Sequence, residues 1–329
     1  MEKKKKKKKL MEKTSSSLEE YINLSEHIIN REKVTIHQLS SVFHEKQPRI
    51  TVDSTGKITE IRVSTSLIKK LLYKGNSISA CPYYIYHLYL LRDIEEPVTE
   101  SMLRGLYFET MTIGSSANNE GTYDLPRDKR SGEKLTPHIR IDDAVDRFHR
   151  MNEKYGIIID KKYVQYHAER IWIDKYKRFS DLTIIIQGDI DFLSPVKYES
   201  INFPVAIFDL KLTADRDNCY PPFCWGCPKE MDLTQAIMYS NLTGLPFFYY
   251  VFDYRKFNPD HMLLPVKTII THPQDKEAIQ RNLDLDQSIR HTVATIQYWE
   301  TNGWQQESDK DVCKQCPIQC DKWKKIKEI

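Results

Sequence analysis

The order of apolar runs predicts an α/β fold, a mixed central β-sheet flanked by helices. Three observations carry this. Residues 182–193 contain the β-branched run Thr183-Ile184-Ile185-Ile186, which favours a strand. Residues 204–212 are apolar almost throughout, as a strand covered on both faces is. Residues 231–242 read as a helix, and 247–253 as another fully covered strand. Strand, strand, helix and strand in that order describe a sheet with helices packed on it.

The remaining elements follow in order. Residues 1–17 read as a tail that includes the lysine run Lys3–Lys9 and ends in Ser15-Ser16-Ser17. A run of like charges repels itself and favours a solvated segment. Residues 18–46 carry mixed helical signals at Ile22, Leu24, Ile28 and Ile29. Residues 49–64 alternate apolar and polar around Ser54-Thr55-Gly56, which predicts a β-hairpin. Helices are expected at 65–72, 83–91, 100–113 and 142–154, the third ending before Gly114. The polar stretch 115–137 reads as a loop. Strands are expected at 163–173 and 263–270, and one or two long helices at 275–302. By domain, the division is a basic tail at 1–17, a helix and hairpin at 18–61, and one large domain at 62–329.

The net charge of +3 over 329 residues hides an asymmetry. The first thirteen residues hold eight lysines and two glutamates, so the rest of the chain is net acidic. Bulk charge therefore gives no argument for a polyanionic partner, and any such surface must be local. There is no run of about 18 apolar residues, so no membrane-spanning helix is expected. The charged N-terminus, with no apolar stretch behind it, does not read as a secretory signal. Seven cysteines in two groups and one outlier fit a reducing compartment with metal-bound thiolates better than disulfides.

The chemistry-bearing residues lie in the strands. Gly188-Asp189-Ile190-Asp191 closes one apolar run, and Asp209-Leu210-Lys211 closes the next. Alternate strand residues share a face, so Asp209 and Lys211 project together, opposite Phe208 and Leu210. Hard oxygen donors of this kind suit Mg²⁺ or Mn²⁺. Such a cation polarises a phosphoryl oxygen and lowers the pKa of water, while a lysine stabilises developing negative charge. Taken alone, an Asp-x-Lys pair is usually a surface ion pair worth at most about 1 kcal/mol. The apolar runs before both acids argue against that reading here.

The series Gly105-x-x-x-Glu109, Gly188-x-x-Asp191, Asp209-x-Lys211 and Gln235-x-x-x-Tyr239 resembles the RecB-type branch of the PD-(D/E)XK nuclease superfamily, over roughly residues 62–320. The resemblance implies a restriction-endonuclease-like core. It also implies that Asp191 and Asp209 hold the metal, with Glu109 and the Leu210 carbonyl completing the set. Lys211 would be the motif lysine, and Gln235 and Tyr239 would sit on a helix beside the site. Glu109 stands where many members have histidine, which makes the site harder and more anionic. Asp189 could share the face of Asp191 in a supporting place.

Cys81, in Ala80-Cys81-Pro82-Tyr83, and the C-terminal cluster Cys313-x-x-Cys316-x-x-x-Cys320 resemble the cysteine segments of the iron–sulfur members of that branch, the AddB-type and CRISPR-adaptation nucleases. That resemblance implies a 4Fe–4S cluster joining N- and C-terminal helical segments, with Zn²⁺ in a Cys₄ set as the alternative. Cys219-x₄-Cys224-x₂-Cys227 has no counterpart in the resemblance. It reads either as a second zinc site or as ordinary loop cysteines. The aromatic stretch from Tyr83 to Tyr89 reads as core with a wet rim.

The resulting expectation is a Mg²⁺- or Mn²⁺-dependent DNA nuclease, an exonuclease of DNA repair, recombination or phage replication. Its partner would be DNA with single-stranded or free ends. The chain lacks a G-x-x-x-x-G-K-[ST] motif, so a nuclease that stands alone or works with a separate helicase or recombination partner is expected. The expected place is the cytoplasm of a bacterial or phage-infected cell. The competing expectation is a DNA-binding or scaffolding module on the same fold with weak or no catalysis.

Overall fold

The computed structural model describes residues 34–38, 49–72, 81–95, 98–114, 131–132, 136–220, 224–255, 259–305 and 318. In chain order the strands are β1 (Val34–Gln38), β2 (Ile50–Val52), β3 (Ile58–Val63), β4 (Val164–Ile171), β5 (Thr183–Tyr198), β6 (Ile201–Thr213), β7 (Phe247–Asp253) and β8 (His261–Val266). The α-helices are α1 (Thr65–Leu72), α2 (Pro82–Ile85), α3 (Glu100–Ile113), α4 (Thr136–Tyr155), α5 (Thr234–Thr243) and α6 (Lys276–Asn302). This is the mixed sheet with flanking helices that the sequence predicts. The chain divides into two compact units, one of residues 1–43, 98–168 and 189–281, the other of 44–97, 169–188 and 282–329.

In the first unit the strand order is β1-β4-β5-β6-β7-β8. β5 and β6 form a long antiparallel hairpin, β7 lies parallel to β6, and β8 runs antiparallel to β7. The parallel pair needs a crossover, and α5 supplies it. The hairpin register shifts between Ser194 and Val196. Pro195 and Pro204 lie at that shift, and neither has an N–H for the ladder.

Alternation decides what each face of the sheet touches. Phe208 and Leu210 of β6, with Phe248, Tyr250 and Phe252 of β7, join Phe192 in a core under α3 and α4. Phe148 of α4, fully buried, has the rings of Phe108, Phe192, Tyr250 and Phe252 around it at 5.6–6.4 Å. The opposite residues of β7 meet other partners: Phe247 lies 6.3 Å from Tyr239 of α5, and Tyr249 lies 5.4 Å from Trp225. Helix α3 is bounded as the sequence predicts. Thr99 accepts from the Met102 amide at its start, and Gly114 takes the left-handed C-cap conformation at φ 76°.

In the second unit, β2 and β3 pair around a turn in which Asp53 Oδ1 accepts from the Thr55 amide at 2.8 Å. β3 then runs parallel to the start of β5, from Glu60 beside Thr183 to Val63 beside Ile186. Buried Arg62 pairs with Glu60 at 2.8 Å and Glu169 at 2.6 Å. Arg290 of α6 bridges Asp174 and Asp286 at 3.0 and 2.9 Å.

Several expectations change. Within 18–46, read as helical, the described residues 34–38 form a strand. The aromatic stretch is α-helical only to Ile85 and continues as a π-helical turn at Tyr86–Leu91. Its Tyr84, Ile85 and Tyr89 are buried, as the core reading requires. Residues 276–302 are one unbroken helix. The tail 1–17 lies outside the described residues, as do Cys313, Cys316 and Cys320. Among the described residues, no helix is long and apolar enough to cross a membrane.

Phe148→Ala tests the aromatic core. Removing a fully buried ring typically costs about 3–5 kcal/mol. Urea denaturation should show a lower midpoint by that order, with the slope unchanged.

Candidate active site

The acidic pair follows from the hairpin register. Phe192 faces Phe208 and Leu193 faces Ile207, so continuing the register by one residue sets Asp191 opposite Asp209. Residues directly opposed on antiparallel strands have Cβ atoms roughly 4.5–5.5 Å apart, and like charges placed so are destabilising. Both acids are also buried, Asp209 at 2% and Asp191 at 9% exposure. Two carboxylates close together in a dry place need compensation, and each has it. Asp191 Oδ2 accepts the Leu210 amide at 2.6 Å. Asp209 Oδ1 accepts from Gln235 Nε2 at 2.7 Å, while Lys211 Nζ lies 2.5 Å from Oδ2.

The compensation is incomplete. Burial first, then the Asp209 and Glu109 carboxylates, push the Asp191 carboxyl well above its ordinary value, against the pull of Lys211. Burial opposes the Lys211 charge, but Asp209, Asp191 and Glu109 outweigh it and hold the ammonium above its usual range. Glu109, half-buried on α3, therefore acts on this group through its charge. Tyr239, one turn after Gln235, is 6% exposed. Burial, aided by Asp189, Asp209 and Asp191, holds it as a neutral phenol far above its ordinary pKa, with Gln235 as a hydrogen-bond neighbour.

The structure thus gathers Asp209, Lys211 and Gln235 by direct contact and ties Asp191 to them through the Leu210 amide. Glu109 and Tyr239 stand in the same electrostatic neighbourhood. Leu210, expected to lend its carbonyl, contributes its amide to Asp191. Among the described residues, no three histidine, cysteine, aspartate or glutamate side chains are grouped so as to hold a metal ion by themselves. Asp189 is half exposed and pairs with His167 Nδ1 at 2.7 Å. No sequence motif points to His167. Its one signal is its place on β4, the strand beside β5.

The cysteine insertion departs from the zinc reading. Cys219 and Cys227 are joined as a disulfide with Cα atoms 5.1 Å apart, which leaves neither thiolate to a metal in this state. Cys224 is a free, fully buried thiol. Gly226 closes the loop where no side chain fits, since a Cβ there would stand 2.2 Å from the Asp217 carbonyl oxygen. Cys81 is also free and buried, at the start of α2.

No family model matches the chain, and no curated protein matches it. Among solved structures, a candidate exonuclease from Eubacterium rectale is similar over 70% of this chain and 81% of its own, at 17% identity and a TM-score of 0.43.

The raised Asp191 pKa has a stability consequence. The folded chain holds this proton more tightly than the unfolded chain. Its stabilising contribution is therefore present below the ordinary carboxylate range and lost as pH rises through the folded value. Metal-free Asp191→Asn should consequently melt a few degrees above wild type at pH 8 and show less difference near pH 4. Mg²⁺ or Mn²⁺ should raise the melting temperature of wild type but not of the variant. A variant that melts lower and keeps the metal-induced rise contradicts this account.

Proposed function

We propose that the chain is a metal-dependent DNA nuclease of the PD-(D/E)XK type, hydrolysing phosphodiester bonds. The observation that carries the reading is the buried Asp191–Asp209 pair with Lys211 and Gln235 against it. A surface ion pair would not be sunk at a strand junction, nor would it push one carboxyl so far upward.

The donor set fits Mg²⁺ or Mn²⁺. Asp191, Asp209 and Glu109 bring up to three negative charges against one ammonium, and the donors are hard oxygens. Mg²⁺ retains several waters and needs only one or two carboxylates, so the absence of a ready-made three-residue cage is no obstacle. When bound, the metal would polarise a phosphoryl oxygen and lower the pKa of a water. The side chains have separate tasks around it. Asp191, held by the Leu210 amide, and Asp209, held by Gln235, would anchor the cation. Lys211 stays protonated and offers its charge to the negative phosphate oxygens as charge accumulates. Tyr239 stays neutral and can donate but not abstract a proton. DNA with free or single-stranded ends is the substrate we assign, with work in repair, recombination or phage replication in the cytoplasm of a bacterial or phage-infected cell.

A second metal group accompanies this reading. We assign Cys81, with Cys313, Cys316 and Cys320, to a 4Fe–4S cluster, a role consistent with the buried, unbonded Cys81 thiol.

Two measurements check these assignments. Labelled linear DNA with Mg²⁺ or Mn²⁺ should be cleaved by wild type. Asp209→Ala and Lys211→Ala should each lose at least about 100-fold in kcat. Equal absence of cleavage in wild type and Asp209→Ala, with DNA binding kept in both, would leave a binding module and sink the enzyme. Circular and single-stranded substrates then separate exo- from endonuclease action. Anaerobically purified protein should be brown and contain iron and sulfide, both lost in Cys81→Ala. A colourless preparation containing zinc would instead place zinc there.

A further inference from the structure

Lys211 also forms one wall of a cavity of about 380 Å³. The volume lies within the roughly 300–1,000 Å³ range of small-ligand pockets. Its other walls come from separate segments: Ser101 and Arg104 of α3, Leu212 to Ala214 at the end of β6, Trp225, and Tyr254-Arg255 after β7. β6 and β7 are parallel, so the cavity opens beyond their C-terminal ends, where ligands of such sheets commonly sit. Among the described residues, three cationic side chains line it and no acidic one does.

The cations are positioned. Tyr254, 5% exposed, has the Arg104 and Arg255 guanidinium carbons 5.9 and 5.7 Å from its ring centre. Its hydroxyl accepts from Arg104 Nη1 at 3.0 Å. Arg104 also pairs with Glu100, and its buried Nε has no hydrogen-bond partner among the described residues. Arg255 has an exposed side chain, and its backbone carbonyl accepts from Arg140 Nη1 at 2.8 Å. The nearby acid Asp253 is fully buried and is engaged by the Arg255 and Arg216 amides, at 3.0 and 3.4 Å. Leu212, Ala214 and Trp225 supply an apolar side to the same space.

We propose that this cavity seats the nucleotide adjoining the scissile phosphate. Arg104 and Arg255 take its phosphate in charge-assisted hydrogen bonds. The sugar and base lie against Leu212, Ala214 and Trp225. The nucleotide identity of the ligand rests on the nuclease reading, whereas the anion-and-apolar character of the cavity does not. Lys211 would then stand between the acidic pair on one side and this phosphate on the other.

The test titrates metal-free full-length protein with thymidine 5′-monophosphate, inorganic phosphate and thymidine, by calorimetry. Thymidine 5′-monophosphate should bind saturably, and more tightly than phosphate or thymidine. Arg255→Gln, an exposed position whose change spares the fold, should weaken it at least about tenfold, as should Arg104→Gln. On a labelled oligonucleotide, Arg255→Gln should raise KM by a larger factor than it lowers kcat. Cleavage by wild type without nucleotide binding, or an Arg255→Gln protein with unaltered affinity and KM, overturns the cavity assignment and leaves the nuclease intact. Phosphate binding as tight as the nucleotide also overturns it. Arginine-dependent nucleotide binding by a protein that never cleaves DNA upholds the cavity and removes the nuclease.

Discussion

Two buried carboxylates held face to face across one strand pair set the terms for everything around them. Repulsion in a poorly solvated place is strong, and a sheet would not keep such a pair without help. Each surrounding group answers one part of that cost. The Leu210 amide, drawn from the backbone, fixes one carboxylate, and the Gln235 amide fixes the other. Lys211 brings the opposing charge from the same strand as Asp209, two residues on. What remains is a surplus of negative charge, visible in the raised Asp191 pKa, and a divalent cation is suited to absorb it.

The juxtaposition is enforced from the other side of the sheet. Phe192 and Phe208 stack with centres 4.7 Å apart and planes 4° from parallel, one residue away from the two acids. Phe248, Tyr250 and Phe252 extend that apolar face under Phe148. A slip of one residue would exchange faces, sending Asp209 and Lys211 into the aromatic core and Phe208 and Leu210 out of it. The core therefore holds the register, and the register holds the acids together.

This explains which features are legible in the sequence. Asp209 and Lys211 are legible because alternation within one strand is local, and Gln235 with Tyr239 because four residues make about one helical turn. The end of α3 at Gly114 is equally local. Features that need long-range pairing are not legible. His167 meets Asp189 only because β4 lies beside β5. The cavity gathers Arg104, Trp225 and Arg255 from segments that no short motif connects. The spacing of Cys219, Cys224 and Cys227 suits a zinc knot, but spacing does not say which sulfurs point at one another, and the fold brings two of them into a bond. The π-helical turn after Ile85 shares its composition with an ordinary helix, so periodicity alone could not announce it.

The register shift in the long hairpin has a consequence for how the chain tolerates change. Pro195 and Pro204 interrupt the ladder between the acidic pair and the hairpin tip, so pairing at the tip is set separately from pairing near Asp191 and Asp209. Val196, Tyr198 and Phe203 pack on the core, so it is at the exposed turn residues Glu199 and Ser200 that insertions can be absorbed. The hairpin tip is thus the part of this scaffold on which new length, a tag or a foreign recognition loop could be grafted without disturbing the chemistry below it.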